Sequence, residues 1–279
     1  MKGLQVAGKI VLAFGICIVL GIIFNLMLKV IMPDPDQLPE QLVYLTNGPK
    51  SLFVILGATA IMLAIFKRDR EWPLGLQGPG RVLLSAKGFL YGILLMTVTI
   101  IAVYCVGEAR IVSYDAQATI LTTLAVGTLL ALCDTFSEEI LFRGYIQGMV
   151  KTSYGPWAAI VVSSVSFAVS HSLGHDVLSH PFELLNLVLA GIFLALLREL
   201  TGSLWLPIGM HFAWNSFNRL FGEADRLVKI EFGPNEWISG GAGGFENGLA
   251  NTLIMLTIIA ILGLKLNRGH AEKRDAAIQ

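Results

Sequence analysis

Charge is scarce in this chain. Asp, Glu, Lys and Arg make up only 14% of its residues, against about one quarter in soluble proteins. Hydrophobic residues make up 54%, and the mean hydropathy is +0.69, which excludes a water-soluble globule. What charge there is balances, with 20 basic against 20 acidic residues, so nothing points to nucleic acid or to an acidic partner. Cysteine is rare as well. Cys17, Cys105 and Cys133 are odd in number, sit in apolar runs without metal-type spacing, and are read as buried small hydrophobes. An internal repeat, a low-complexity segment and an interdomain linker are all missing, which argues against the repeat-built architecture of many transporters. The first apolar run reaches Met32-Pro33 without a small-residue cleavage site, so a retained membrane span is expected rather than a signal peptide.

Long apolar runs are what the chain has in abundance. Windows of about 17 to 25 apolar residues place spans near 10–31, 52–66, 88–106, 118–133, 157–173, 184–197, 204–221 and 249–264. The second and sixth are closely bounded by charge, Lys50 and Lys67 in one case, Glu183 and Arg198 in the other. With the N-terminus inside, most basic residues fall on the cytoplasmic side, among them Lys67, Arg68, Arg70, Lys265 and Arg268, as the positive-inside tendency requires. The expected fold is therefore all-α: a polytopic membrane protein with about eight transmembrane helices and both termini cytoplasmic. One membrane-embedded domain is expected over residues 1–279, with its core motifs within 118–220. The longest loop, 222–247, ends in a run too glycine-rich for a helix.

Three polar clusters interrupt these runs, and ionisable groups at membrane depth usually face a cavity or each other. Ser137-Glu138-Glu139 leads into Arg143 and Gly144, Phe167 precedes Ser170-His171, and His211 precedes Trp214-Asn215. Glu139 and Arg143 are four apart with the carboxylate first, the favourable order for an ion pair on one helix face; Glu138 points about 100° away and is left free. His211 shares a face with Asn215, and Phe167 with His171. Glu138 and His171 lie at similar distances on either side of the turn near Tyr154-Gly155-Pro156, which puts them at one height on antiparallel neighbours. His211 follows its own turn at Thr201-Gly202-Ser203 too soon to match, so a tilted or late-starting seventh helix is required.

A carboxylate, two histidines and an amide in a low-dielectric cavity suit hydrolysis. The carboxylate accepts a proton from water, the histidines orient that water or hold a metal that acidifies it, and His211 with Asn215 donates to an oxyanion. There is no serine in a nucleophile-elbow setting and no His-Glu-x-x-His pattern, so water is the expected nucleophile. Each residue alone has a plainer reading. Glu138 and Glu139 read as a snorkelling helix end, His171 and Asn215 as interhelical hydrogen bonds, Phe167 as packing, and Asp134 as a second cavity acid or an interfacial residue. His175 and His180 read as loop residues facing solvent.

Taken together, Glu138-Glu139-x-x-x-Arg143, Phe167-x-x-x-His171 and His211-x-x-x-Asn215, in that order on successive spans, resemble the signature of the CPBP family of intramembrane proteases, which includes the type II CAAX prenyl endopeptidases and bacterial relatives. The likeness covers roughly Leu121 to Phe217, with weaker support from Leu74-Gly75-Leu76 and from the late Gly-Gly-x-Gly-Gly-Phe-Glu run. The resemblance implies that Glu138 activates water, His171 helps hold it, and His211 with Asn215 stabilises the oxyanion. Glu139, Arg143 and Phe167 are then supporting. It leaves open a divalent metal such as zinc on Glu138, His171 and His211, or a metal-free glutamate mechanism. It implies action on a membrane-associated or lipidated protein or peptide within the lipid bilayer, and the compact length without an organelle signal points to a bacterial, multi-pass plasma-membrane protein. The alternative on the same fold is a non-proteolytic scaffold or a bacteriocin-immunity or regulatory protein.

Overall fold

The structure, a computed structural model, describes residues 2–32, 40–71, 74–114, 118–172, 182–222 and 226–278; His175 and His180 lie outside them. The first helix, α1 (Lys2–Ile31), is apolar nearly all round. It leaves Val11, Ile22, Leu26 and Val30 exposed, as a helix facing lipid rather than water does. Next, α2 (Glu40–Ser51) contains Pro49, which lacks the N–H that a helix needs, and the chain widens into a π turn at Leu52–Leu56 before α3 (Gly57–Ile65). α4 (Arg81–Cys105) leads to strand β1 (Ala109–Tyr114). α5 (Ala118–Glu139) runs into a second π segment, Ile140–Ile146, and on through α6 (Gln147–Tyr154). Gly155, at φ 83°, turns the chain into α7 (Pro156–Ser172), whose first residue needs no N–H partner. The remaining helices are α8 (Glu183–Thr201), α9 (Trp205–Leu220), the short α10 (Glu236–Ser239) and α11 (Leu249–Ile278).

The helical expectation holds, with two differences of detail. A small sheet of order β1-β3-β2 forms from β1, β2 (Phe221–Gly222) and β3 (Val228–Phe232). In it β1 pairs antiparallel with β3, Ala109 opposite Phe232, and β2 runs parallel to β3. Hydropathy windows register apolar runs of helical length and pass over such short strands. Among the described residues, five helices are long and apolar enough to cross a membrane: Gly3–Ile31, Thr46–Ile65, Arg81–Cys105, Glu183–Thr201 and Leu249–Glu272. The other three expected spans fall on α5, α7 and α9. The first carries Asp134, Glu138 and Glu139, and the last two have 17 and 16 residues. The cysteine expectation is corrected: Cys17 and Cys133 are half-buried and Cys105 is exposed, on helices whose outer faces are apolar.

Two packing features position the site. Glycines bring α4 and α9 into backbone contact; a Cβ on Gly88 would lie 2.2 Å from Leu206 O, and one on Gly209 2.1 Å from Ser85 O. Small residues serve this purpose where lipid replaces water and close packing must supply the association energy. The α8–α9 turn is also sunk into the bundle. Leu204 packs with Ile140 and Ile208, Leu204 N donates to Gly75 O at 2.9 Å, and Trp205 Nε1 donates to Leu76 O at 2.9 Å. The turn thus sits near Gly144, well short of the Tyr154 end of α6, because the 74–76 segment reaches in to receive it. This is how His211, only a few residues into α9, comes level with Glu138 and Glu139.

Candidate active site

The π segment buries all seven of its residues, Arg143 included. Widened turns of this kind occur frequently at functional sites. Glu139 and Arg143, both 0% exposed, form the ion pair expected from their spacing, Nη1 to Oε1 at 2.9 Å. The guanidinium lies 4.2 Å from the Phe167 ring centroid, a cation–π contact that offsets part of its burial. Glu139 Oε1 has a second partner, His211 Nδ1 at 2.9 Å. A carboxylate only accepts, so Nδ1 carries the proton and Nε2 is turned inward.

Glu138 is turned away from Arg143, as its angular offset requires. Its Oε2 lies 3.8 Å from His211 Nε2 and 3.9 Å from His171 Nε2. That oxygen is buried and accepts no hydrogen bond from the described residues. His171 Nδ1 is 3.0 Å from Phe167 O and 3.3 Å from Ser170 Oγ; a carbonyl only accepts, so this nitrogen too donates and Nε2 faces the carboxylate. The Phe167 ring centroid is 4.3 Å from that of His171 and 5.9 Å from that of His211. Phe167 thereby holds both imidazoles and the guanidinium at once. Asn215, one turn after His211, donates from Nδ2 to the buried Thr135 Oγ1 at 3.2 Å. Asp134, one turn before Glu138, is half-buried.

Two cavities meet at this cluster. One, of about 220 Å³, is lined by Phe167, His171, His211, Trp214, Asn215 and Glu246, among others. The second, of about 450 Å³, is largely apolar; it runs from Phe14 and Ile18 of α1 past Val54 to Glu138 and His171. The structure therefore brings Glu138, His171 and His211 together, with Asn215 on the wall of the smaller cavity. Tetrahedral zinc at its usual bond lengths of roughly 2.0 to 2.1 Å would need donors about 3.4 Å apart, closer than the separations seen here. Among the described residues no group of three His, Cys, Asp or Glu side chains is placed to hold an ion.

Thr135, Trp214 and Glu246 also contact or line this cluster; none is a motif position, although Trp214 adjoins Asn215 in the sequence. Glu246 in particular lies after a glycine run, with no helical spacing to link it to the motifs. Its signal in the sequence is its place as the acidic end of the Gly-Gly-x-Gly-Gly-Phe-Glu run.

Comparison with known proteins bears on the same residues. Residues 119–217 match the family model described as Rce1-like, type II CAAX prenyl endopeptidase, a segment that contains all three motifs. An uncharacterized 24.3 kDa protein of Escherichia coli is 27% identical over 198 residues, covering 66% of this chain and 87% of that protein. That similarity is longer than the matched family segment and so extends beyond it.

Proposed function

We propose that this chain, whose residues 119–217 match the Rce1-like family, is a CAAX-type intramembrane endopeptidase that hydrolyses peptide bonds of membrane-associated substrates with a glutamate-activated water. The observation that supports this best is Glu138 Oε2, buried without a donor and within 3.9 Å of two imidazole Nε2 atoms. Atoms at this spacing are too far apart for a direct hydrogen bond and leave one water within reach of both, and a carboxylate oxygen buried without any partner is costly.

Water held between Glu138 Oε2 and His171 Nε2 directs its protons at two acceptors and its lone pair at the scissile carbonyl. Attack on the carbonyl carbon moves one water proton to Glu138. The carbonyl oxygen becomes an oxyanion, which Asn215 Nδ2–H and His211, donating from Nε2 when doubly protonated, are placed to stabilise. Glu138 then returns its proton to the departing amine as the C–N bond breaks, leaving a carboxyl and an amine product. Glu139 keeps the His211 ring in register throughout, much as a carboxylate orients a catalytic imidazole elsewhere. The apolar cavity along α1 suits the hydrocarbon or apolar side chains of a membrane-held substrate, in a plasma-membrane protein of one domain spanning residues 1–279. The test is cleavage of a membrane-tethered peptide by purified protein in liposomes. Wild type should cleave, and Glu138→Gln should be slower by about 10² to 10⁴. A cellular phenotype that survives Glu138→Gln, with no cleavage by wild type, would favour the scaffold reading.

A further inference from the structure

Glu246 lies outside the segment matched by the family model and outside the three motifs, yet its carboxylate lines the same cavity as His171, His211 and Asn215. It sits on a short 3-10 turn, Phe245–Asn247, within a run that only glycine can follow. Gly240, Gly241 and Gly244 have φ of 82°, 54° and 84°. A Cβ on Gly240 would lie 1.9 Å from Gly244 O, and one on Gly248 2.1 Å from Ile238 O. Such a folded-back chain is held by what it packs against. Asn186 of α8 and Asn251 of α11 both donate from Nδ2 to Glu246 O, at 2.9 and 2.7 Å. Thr252 Oγ1 secures Asn186 Oδ1 at 2.8 Å, and Phe245 meets the Phe217 ring edge-on at 5.9 Å.

So fixed, the Glu246 carboxylate turns to α9. Its Oε2 accepts from both Trp214 Nε1 and Asn218 Nδ2. Trp214 is one turn beyond His211, and Asn218 is one turn beyond Trp214 and Asn215, so the carboxylate grips the helix along the face that presents the histidine and the amide. Glu139 holds His211 from the α5 side at 2.9 Å, and Thr135 holds Asn215 at 3.2 Å. Glu246 is the counterpart from the far wall of the cavity.

We infer that Glu246 is a positioning residue of the hydrolytic site, clamping α9 through Trp214 and Asn218 so that His211 and Asn215 face the scissile carbonyl; the inference rests on the hydrolytic reading above. It acts as an acceptor, so an amide oxygen can replace the carboxylate. Displacement of α9 by a fraction of an ångström disturbs orientation in the transition state more than ground-state binding.

The experiment measures kcat and KM on a membrane-tethered peptide in liposomes, normalised to folded protein, for wild type and Glu138→Gln beside Glu246→Ala, Glu246→Gln, Asn218→Ala and Asn218→Ala with Glu246→Ala. Glu246→Ala should lower kcat about ten- to a hundredfold with KM changed less than about threefold. Glu246→Gln should recover most of that rate. Asn218→Ala should cost less, and added to Glu246→Ala it should cost nothing further, since the two act as one unit. Wild-type kcat in Glu246→Ala overturns the inference and leaves the hydrolytic reading standing, provided Glu138→Gln is inactive. A Gln variant as impaired as the Ala variant, with the loss in KM, overturns it in favour of direct substrate contact through charge. An unaltered rate in Glu138→Gln removes the hydrolytic reading and the inference with it.

Discussion

Adjacent glutamates in this chain face different partners because a helix places consecutive residues about 100° apart. Glu139 turns to Arg143 and His211, both at 2.9 Å, while Glu138 turns to the open side where two cavities meet. Sequence spacing gave the Glu139–Arg143 pair; the His211 contact depends on tertiary structure and was not legible. That contact alters what substitution should do. Removing one partner of a buried pair costs about 3 to 5 kcal/mol, so Glu139→Ala should lower the melting temperature and folded yield in detergent. It should also lower kcat per folded molecule, because His211 loses its register. Thermal melts beside single-turnover rates check both halves, and a folded Glu139→Ala protein with wild-type kcat would contradict the proposed positioning role. Motif spacing was informative for Phe167 and His171, and for His211 and Asn215, because residues four apart share a face wherever the helix is placed. Glu246 has no such constraint. A glycine run and three helices fix its position, and only the fold brings it to Trp214.

Helix-to-helix distance at the site is set by small residues. α4 and α9 approach until Gly88 and Gly209 would each place a Cβ within about 2.2 Å of backbone oxygen on the other helix. Hydropathy showed both helices; it did not show that Gly209, two residues before His211, controls how deep α9 lies. Gly209→Ala should force the pair apart, with a cost of about 1 to 3 kcal/mol typical of overpacking. It should also reduce kcat, since His211 moves with the helix. Thermal stability and kcat of the variant test this, and unchanged values for both would show that the contact has slack. The sunken α8–α9 turn belongs to the same class of feature. Its depth is set by Leu204 and Trp205 bonding to Gly75 and Leu76, a pairing across more than a hundred residues that no local pattern encodes. The two π turns were likewise not legible, although Pro49 marks the first. The second has no proline or glycine signal before Gly144; its widened turn accompanies seven consecutive buried residues.

At the scale of the described molecule, apolar side chains cover the outward faces of several helices while the ionisable groups of the motifs are largely enclosed. Exposed Val11, Leu26, Leu90, Leu94, Ile101 and Ile261 lie on α1, α4 and α11, whereas Glu139, Arg143 and His211 are enclosed. Composition alone made an apolar exterior the expectation, because a chain with so little charge cannot cover itself with polar side chains. The basic residues near 67–70 and 265–268 lead us to propose cytoplasmic termini. Reporter fusions at Gln279 and near Gly240 should then report opposite sides of the membrane, and the same side for both would refute that topology. The central claim, that Glu138 activates water for peptide hydrolysis, is tested most directly by one rate. Purified Glu138→Gln in liposomes, with a fold matched to wild type by thermal melt, should cleave a membrane-tethered peptide about 10² to 10⁴ times more slowly than wild type. A Glu138→Gln protein that cleaves at the wild-type rate would contradict the account.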